Sequence, residues 1–202
     1  VEEVLERGLH CAMLSGDEEQ YLRVRGSMGN YDLEIDNLSG AISHYEAVME
    51  GADRLGNLSL KALSLGNLAL ACAYMGDDDR ARALFRQQLE MADETGNRYL
   101  SVLALGNLGS ALSRSWNWRE APVFLRRAVR TARELGAVQH EAIARSNLSE
   151  HCIRTGEAAE ALENAEAVVR LCREKGIDYY LARCLLVYAR SLLLAGRPEE
   201  AL

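Results

Sequence analysis

Lysine is almost missing from this chain: Lys61 and Lys175 stand against 21 arginines, a bias compatible with a GC-rich genome. Proline is as scarce, at Pro122 and Pro198 only, and no Gly/Ser-rich or like-charge stretch is long enough to be a linker. Both absences argue for one elongated domain over residues 1–202 rather than two. No apolar run has the length of a membrane span and no signal peptide is visible, so the sequence predicts a cytoplasmic chain without a membrane partner. The five cysteines are an odd number, with no Cys-x-x-Cys pair and no histidine at metal spacing, which excludes a disulfide framework or a metal site and points to a reducing compartment. A net charge of -7 argues against direct nucleic-acid binding, because a phosphate backbone is held by clustered cations. The histidines His10, His44, His140 and His151 have no repeated carboxylate or cysteine partner, and there is no Gly-rich phosphate loop or nucleophile elbow. No catalytic residue, no cofactor and no enzyme activity are expected within these residues.

What the chain does have is an internal period. Gly56, Gly96, Gly136 and Gly176 recur at one constant interval, and Ala41, Ala81, Ala121, Ala161 and Ala201 keep the same one. Asn67, Asn107 and Asn147 do so too, each followed by leucine at 68, 108 and 148. A period of about 40 residues marks a stack of small supersecondary repeats, none able to bury its apolar face alone. A hydrophobic content of 49% is ample for a core shared between neighbours. The repeats run approximately over 1–17 (partial), 18–57, 58–97, 98–137, 138–177 and 178–202 (partial). The chain begins at Val1 rather than methionine and stops at Ala201-Leu202 as another repeat opens, so it reads as a piece of a longer protein.

Within a repeat the apolar spacing is helical. From Leu58 to Met75 the residues Leu60, Leu63, Leu65, Leu68, Ala71, Cys72 and Met75 recur mostly at three and four, and from Arg80 to Ala92 so do Ala81, Leu84, Phe85, Leu89 and Ala92. Gly76 then Asp77, and Gly96 then Asn97, supply a left-handed terminal residue followed by a side chain that caps the next helix. Two antiparallel helices of about 17 residues, or roughly 25 Å, therefore make each repeat. Cys72 and Cys152 share a column and read as small buried side chains, whereas nothing supports a redox role for Cys11, Cys172 or Cys184.

Leu65-Gly-Asn-Leu68 with Ala71, Tyr74, Gly76-Asp77 and Ala81 to Phe85 resembles a tetratricopeptide repeat, and Leu105-Gly-Asn-Leu-Gly109 with Ala111 and Ala121 repeats the pattern. The likeness covers nearly the whole chain, strongest at 58–176 and weak before 56. Ordinary members have a shorter repeat, of about 34 residues. This chain is similar to the long variety found in kinesin light chains, polarity adaptors and bacterial regulators. The resemblance implies an all-α fold: a right-handed superhelical solenoid of antiparallel helix pairs, with about five repeats of the longer period. A HEAT-type array shares the period but lacks its usual first-helix proline here.

Some positions depart from the pattern. Arg25-Gly-Ser-Met-Gly-Asn30 stands where later repeats read Leu-Gly-Asn-Leu, and two helical glycines at about 1 kcal/mol each predict the loosest helix of the array. Asp36 replaces one punctuating glycine and Trp116 another. Trp118 occupies a place where the resembled family often carries a packing aromatic, and Trp116, if it projects from the turn, is a possible partner contact. Arg126, Arg127, Arg130 and Arg133 read as a solvated helix face. Asp17-Glu18-Glu19 and Asp77-Asp78-Asp79 fit helix N-termini.

The asparagine column leaves two readings open. Gly66-Asn67 and Gly106-Asn107 combine poor helix formers in mid-helix, at a cost of about 1.5 kcal/mol per pair. Either the glycine admits a close neighbouring helix and the amide bonds to it, or both face a concave groove and offer a peptide main chain room, a donor and an acceptor. By resemblance the groove is favoured, because this column commonly contacts peptide in tetratricopeptide arrays. The expected peptide-binding residues are Asn67, Asn107, Asn147, Gly66, Gly106, Leu63, Leu103 and Ile143, with Arg183 and Arg190 placed to receive an acidic group. Leu70, Ser110 and Glu150, then Tyr74, Arg114 and Arg154, follow on the same face. With no lysine there, the carboxylate clamp of chaperone-binding relatives is incomplete. The function expected is a protein- or peptide-binding scaffold in a bacterial, cytoplasmic protein. The alternatives are a ligand-sensing arm of an ATPase-linked or peptide-responsive regulator, and a homo-oligomer joined through Trp116 or the uncapped ends.

Overall fold

The computed structural model describes residues 1–115 and 117–201. Ten α-helices follow one another: α1 (Glu2–Ser15), α2 (Glu18–Glu34), α3 (Leu38–Arg54), α4 (Leu58–Met75), α5 (Asp78–Glu94), α6 (Arg98–Arg114), α7 (Ala121–Glu134), α8 (Val138–Thr155), α9 (Ala158–Lys175) and α10 (Asp178–Leu194), then a 3-10 turn at Pro198–Glu200. No strand occurs among the described residues, and the fold is an all-α helical repeat of the solenoid class.

The helices end for one repeated reason. Positive φ angles fall at Gly16, Asp36, Gly56, Gly76, Gly96, Gly136, Gly156, Gly176 and Gly196, so the cadence is half the period seen in the glycine and asparagine columns. One residue further on, a backbone N–H returns to the carbonyl five residues back: Asp77 to Cys72 and Ile177 to Cys172 at 2.9 Å, Glu157 to Cys152 at 2.8 Å. That bond satisfies a carbonyl the helix itself leaves over, and the left-handed residue before it turns the chain to make it. Cys72, Cys152 and Cys172 supply those carbonyls from fully packed positions, which explains the small thiols there. The next helix starts two residues after each left-handed residue. Asp17, Asn37, Asn57, Asp77 and Asn97 cap α2 to α6, each accepting from the backbone N–H three residues on. No side-chain cap serves α7 to α10.

Only α7 breaks step, beginning at Ala121 where the cadence calls for residue 118. Pro122 accounts for it: the ring has no N–H and would collide with the Trp118 carbonyl in a helix begun earlier, so 117–120 remain outside it.

By packing the chain divides into two compact units, Val1–Gly96 and Asn97–Leu202. In the first, α2 and α4 touch each other and alternate with α3 and α5, around Leu22, Val48, Ala52 and Leu60. Helix α2 runs unbroken through both glycines, and Gly29 has a purpose: a Cβ there would lie 2.7 Å from Cε1 of Tyr45, whose ring is wholly buried against it. In the second, α6, α8 and α10 form one layer and α7 and α9 the other, with Ala142, Val168, Val169, Cys172, Ile177 and Cys184 in the core. Ala41 and Ala81 in the first unit and Ala121 and Ala161 in the second have no exposed surface, each seating the first turn of an outer helix close to its partner. Helix α4 has the length and mean hydropathy (1.3) of a membrane span, but half of it is buried between α3 and α5, as a core helix is.

Asp36 carries the one non-glycine left-handed backbone among the described residues, at φ 62°, on an exposed side chain. Asp36→Gly is expected to raise unfolding stability by about 0.5–1 kcal/mol, read from the midpoint of a urea melt at unchanged slope.

Candidate functional site

In the second unit α6 and α8 lie against each other, and their residues at matching repeat positions form a partly open face. Its near end is aromatic, with the Tyr99 ring edge-on to His140 at 6.1 Å between centroids. A turn further on, Leu103, Gly106 and Asn107 of α6 and Ile143 and Asn147 of α8 line a shallow cleft of about 20 Å³ together with Val102, His140 and Ala144. That is room for about one water, so a ligand would lie over this cleft, not inside it. Asn107 and Asn147 are half-exposed, and neither amide is hydrogen-bonded to another described residue. A Cβ on Gly106 would meet nothing nearer than Nδ2 of Asn147 at 4.0 Å, so no close helix contact requires glycine there.

The first unit uses the same column differently. A Cβ on Gly66 would lie 2.2 Å from Nε2 of Gln88, a buried α5 side chain that donates to the Ala62 carbonyl at 3.0 Å. Here the glycine does make space for a neighbouring helix. The Asn67 amide is also engaged: Nδ2 donates to Oδ1 of Asn30 at 3.2 Å, and the same oxygen accepts from the Tyr45 hydroxyl at 2.8 Å. Asn30 thereby joins α2, α3 and α4. Leu63 remains about half exposed beside this network.

Arg183 of α10 already has internal partners, Oε1 of Glu150 at 3.5 Å and the face of Tyr180 at 5.8 Å. Arg190 is exposed about two turns along the same helix. Trp116 lies outside the described residues. Arg126 and Arg133 do more than face solvent: Arg126 holds Glu160 of α9 through Nε at 2.8 Å and Nη2 at 2.6 Å, and Arg133 reaches Glu141 of α8 at 3.3 Å.

Two clusters were not legible in the sequence. At the far end of α6 and α8, Ser113, Arg114, Arg154 and Trp118 line a pocket of about 390 Å³, opened by the late start of α7. Trp118 is 39% exposed there. Behind it Ser113 Oγ is 2.9 Å from Nδ1 of His151 and accepts from Nη1 of Arg154 at 3.4 Å. His151 is buried, and that burial holds its pKa below the usual histidine value, so it is neutral at neutral pH. Its Nε2 has no partner among the described residues. Ser113 and His151 fall in different columns, so no periodic signal pairs them.

The second cluster brings the Cys152 thiol and the Glu157 and Glu160 carboxylates within 4.8 Å of one another. The Arg126 clamp occupies the Glu160 carboxylate and holds it below its usual pKa range. Burial, then the nearby Glu160 and Glu157 charges, push the Cys152 thiol up to about 12. A cation here would have to displace a bidentate guanidinium and ionise a reluctant thiol, so the cluster works as a lock between α7, α8 and α9.

Residues 59–134 match the family model of the tetratricopeptide repeat. No curated protein sequence matches the chain. Among solved structures, BtubC from P. vanneervenii superposes over 98% of this chain and 84% of its own, with a TM-score of 0.83 at 16% identity. A signal transduction ATPase with numerous domains from Pyrococcus horikoshii, carrying a tetratricopeptide repeat sensor, covers 99% of this chain with 31% of its own at a TM-score of 0.77 and 17% identity. The Rap conjugation gene regulator of plasmid pLS20, solved in complex with a Phr peptide, matches 93% of this chain and 52% of its own at 0.74 and 16%. The chain thus spans about half of the Rap regulator and under a third of the ATPase, and at these identities the likeness is one of fold.

The two glycines of the column are expected to respond in opposite directions. Gly106→Ala gains helix propensity without a clash and should stabilise by about 1 kcal/mol, a rise of about 2–4 °C in Tm for a chain of this size. Gly66→Ala must expel the Gln88 amide from a buried hydrogen bond worth about 1–3 kcal/mol, so it should be net destabilising; thermal melts of the two variants decide. For the cysteines, Cys11 alone is exposed. An Ellman titration of the native chain at pH 8 should show one fast thiol, and five after denaturation; a second fast thiol would contradict the burial of Cys72, Cys152, Cys172 and Cys184.

Proposed function

We propose, for a chain whose fold is that of the tetratricopeptide repeats and whose residues 59–134 match that family, that it is a protein- or peptide-binding scaffold. Its second unit holds an extended peptide segment across α6, α8 and α10. The observation that carries this reading is the pair of half-exposed amides, Asn107 and Asn147, without a partner among the described residues, beside a glycine that no helix contact needs. Mid-helix Gly-Asn costs stability, and here no hydrogen bond or close contact among the described residues recovers it. Packed helices lie about 10 Å apart, close to three residues of extended chain at about 3.3 Å each. The two amides therefore match main-chain groups three residues apart, with Leu103 and Ile143 receiving apolar side chains between them. At about 0.5–1.5 kcal/mol per hydrogen bond, the pair contributes about 1–3 kcal/mol, or roughly 5- to 150-fold in affinity. Asn67 contributes less, since one of its donors is committed to Asn30. A fold shared with a regulator solved with a bound peptide supports the reading.

Selection from a random peptide library on the whole chain tests it, with Asn107→Ala/Asn147→Ala as the counter-selected control and Asn67→Ala as a comparison. Enriched sequences that share a motif, lose affinity at least fivefold in the double variant and keep most of it in Asn67→Ala are the expected result. No enrichment from a well-folded chain, or binding indifferent to the double substitution, would overturn the groove.

A second reading, a sensing arm within a larger signalling protein, draws support from the likeness to an ATPase whose repeats are described as a sensor. An ATPase or DNA-binding domain encoded beside residues 1–202 would favour it, and a gene encoding these repeats alone would remove it.

A further inference from the structure

Many arginines of this chain are tied to a carboxylate. Arg80 pairs with Glu46, Arg98 with Glu134, Arg126 with Glu160, Arg145 with Glu141 and Arg183 with Glu150. Arg114 and Arg154 have no carboxylate partner among the described residues, as is true of several surface arginines, but these two line one pocket together at the far end of α6 and α8. They are one repeat apart, at the same position of adjacent helices, so the stacking itself brings two like charges to one place. The pocket lies beside the turn that precedes α7, where Trp118 forms an apolar wall. Arg154 is steadied from below by Ser113, which is anchored in turn on His151. A neutral His151 adds no third positive charge, and its burial is what keeps it neutral.

We propose that Arg114 and Arg154, with Trp118 as the flanking wall, form a subsite for a carboxylate of a bound peptide. Two guanidiniums can each present paired N–H donors to one carboxylate, and the indole covers the methylene or Cα next to it. The inference rests on the peptide-binding reading and deepens it: the subsite lies on the same two helices, about two turns beyond Asn107 and Asn147, and fixes which end of a peptide points which way. The carboxylate comes either from an acidic side chain or from a peptide C-terminus, and the probes below separate the two.

The test uses the full chain with Trp116→Phe, so that one indole N–H signal in a nitrogen-proton correlation spectrum reports on Trp118. The probes are N-acetyl-glutamate amide for a side-chain carboxylate, N-acetyl-glycylglycine for a terminal one, and N-acetyl-glutamine amide as the neutral control. At least one acidic probe is expected to move the Trp118 signal to saturation, with an apparent Kd at least tenfold below that of the neutral control. The response should weaken as sodium chloride rises from about 50 to 500 mM and vanish in Arg114→Gln/Arg154→Gln. Arg114→Lys/Arg154→Lys, which keeps the charge, should restore part of it. Equal response to acid and amide, or a response unchanged by the Gln substitutions, overturns the subsite. If Trp116→Phe does not fold, the backbone amide signals of residues 113–118 in the unaltered chain give the same readout. These probes are too short to span the asparagines, so their response reports on the subsite alone. A library without enrichment beside a responsive indole would sink the groove and keep the subsite, and acid-indifferent peptides selected on the groove would do the reverse.

Discussion

The hydrogen bond that closes eight of the ten described helices, from a backbone N–H just past the end back to the carbonyl five residues earlier, is the constraint on which the rest depends. It recurs at Asn37, Asn57, Asp77, Asn117, Ala137, Glu157, Ile177 and Arg197, at distances of 2.8–3.0 Å. Because it stops the helices at the same phase, residues one repeat apart face the same way within a unit, and a column of sequence becomes a stripe of surface. Without that closure a helix of this composition would overrun. An overrun of even one residue turns the following side chains by about 100°, out of register with their neighbours. The bond is worth only about 1 kcal/mol; its importance lies in geometry repeated at eight helix ends.

Given that register, packing decides where small residues are needed. Gly109 resembles Gly66: a Cβ would lie 2.6 Å from Cγ of Leu125 and 3.2 Å from its backbone nitrogen, so α7 comes close to α6 only because the side chain is missing. The alanine columns serve the same purpose at the first turns of the outer helices. Gly106 stands apart because the space over it is open, and it adjoins the two asparagines without internal partners. A residue that costs helix stability and relieves no contact breaks the local rule that its neighbours obey, and that departure is what the proposed groove rests on.

The period, the helix pairs, the left-handed glycines and the caps at Asp77 and Asn97 were all legible in the sequence, since each depends on local chemistry repeated along the chain. Asp36 was legible as an exception and keeps the left-handed backbone of the glycines it replaces. What local chemistry hid was the meaning of a column. Asn67 and Asn107 are the same residue in the same place, yet one is held by Asn30 and the other is not, because the departure at Arg25–Asn30 puts an asparagine within reach of the first alone. The half-period was written in the glycines but masked by substitutions at 36 and 116. The pocket beside Trp118 was invisible for a different reason: it depends on the proline that delays α7 and on side chains from two helices one repeat apart.

Electrostatics follows the same division between register and recognition. On the outer surfaces, Arg80–Glu46 and Arg126–Glu160 each link a helix to its counterpart in the next repeat, and Arg54–Glu18 joins α3 to α2 within one repeat. Most of these groups are about half exposed, where an ion pair contributes only about 0–1 kcal/mol. Such pairs do little for stability, but each neutralises a guanidinium and discourages slippage between repeats. Arg183 shows the compromise, partly offset by Glu150 on the inner layer. At Arg114 and Arg154 no carboxylate among the described residues supplies such an offset, and that difference is what the proposed subsite rests on.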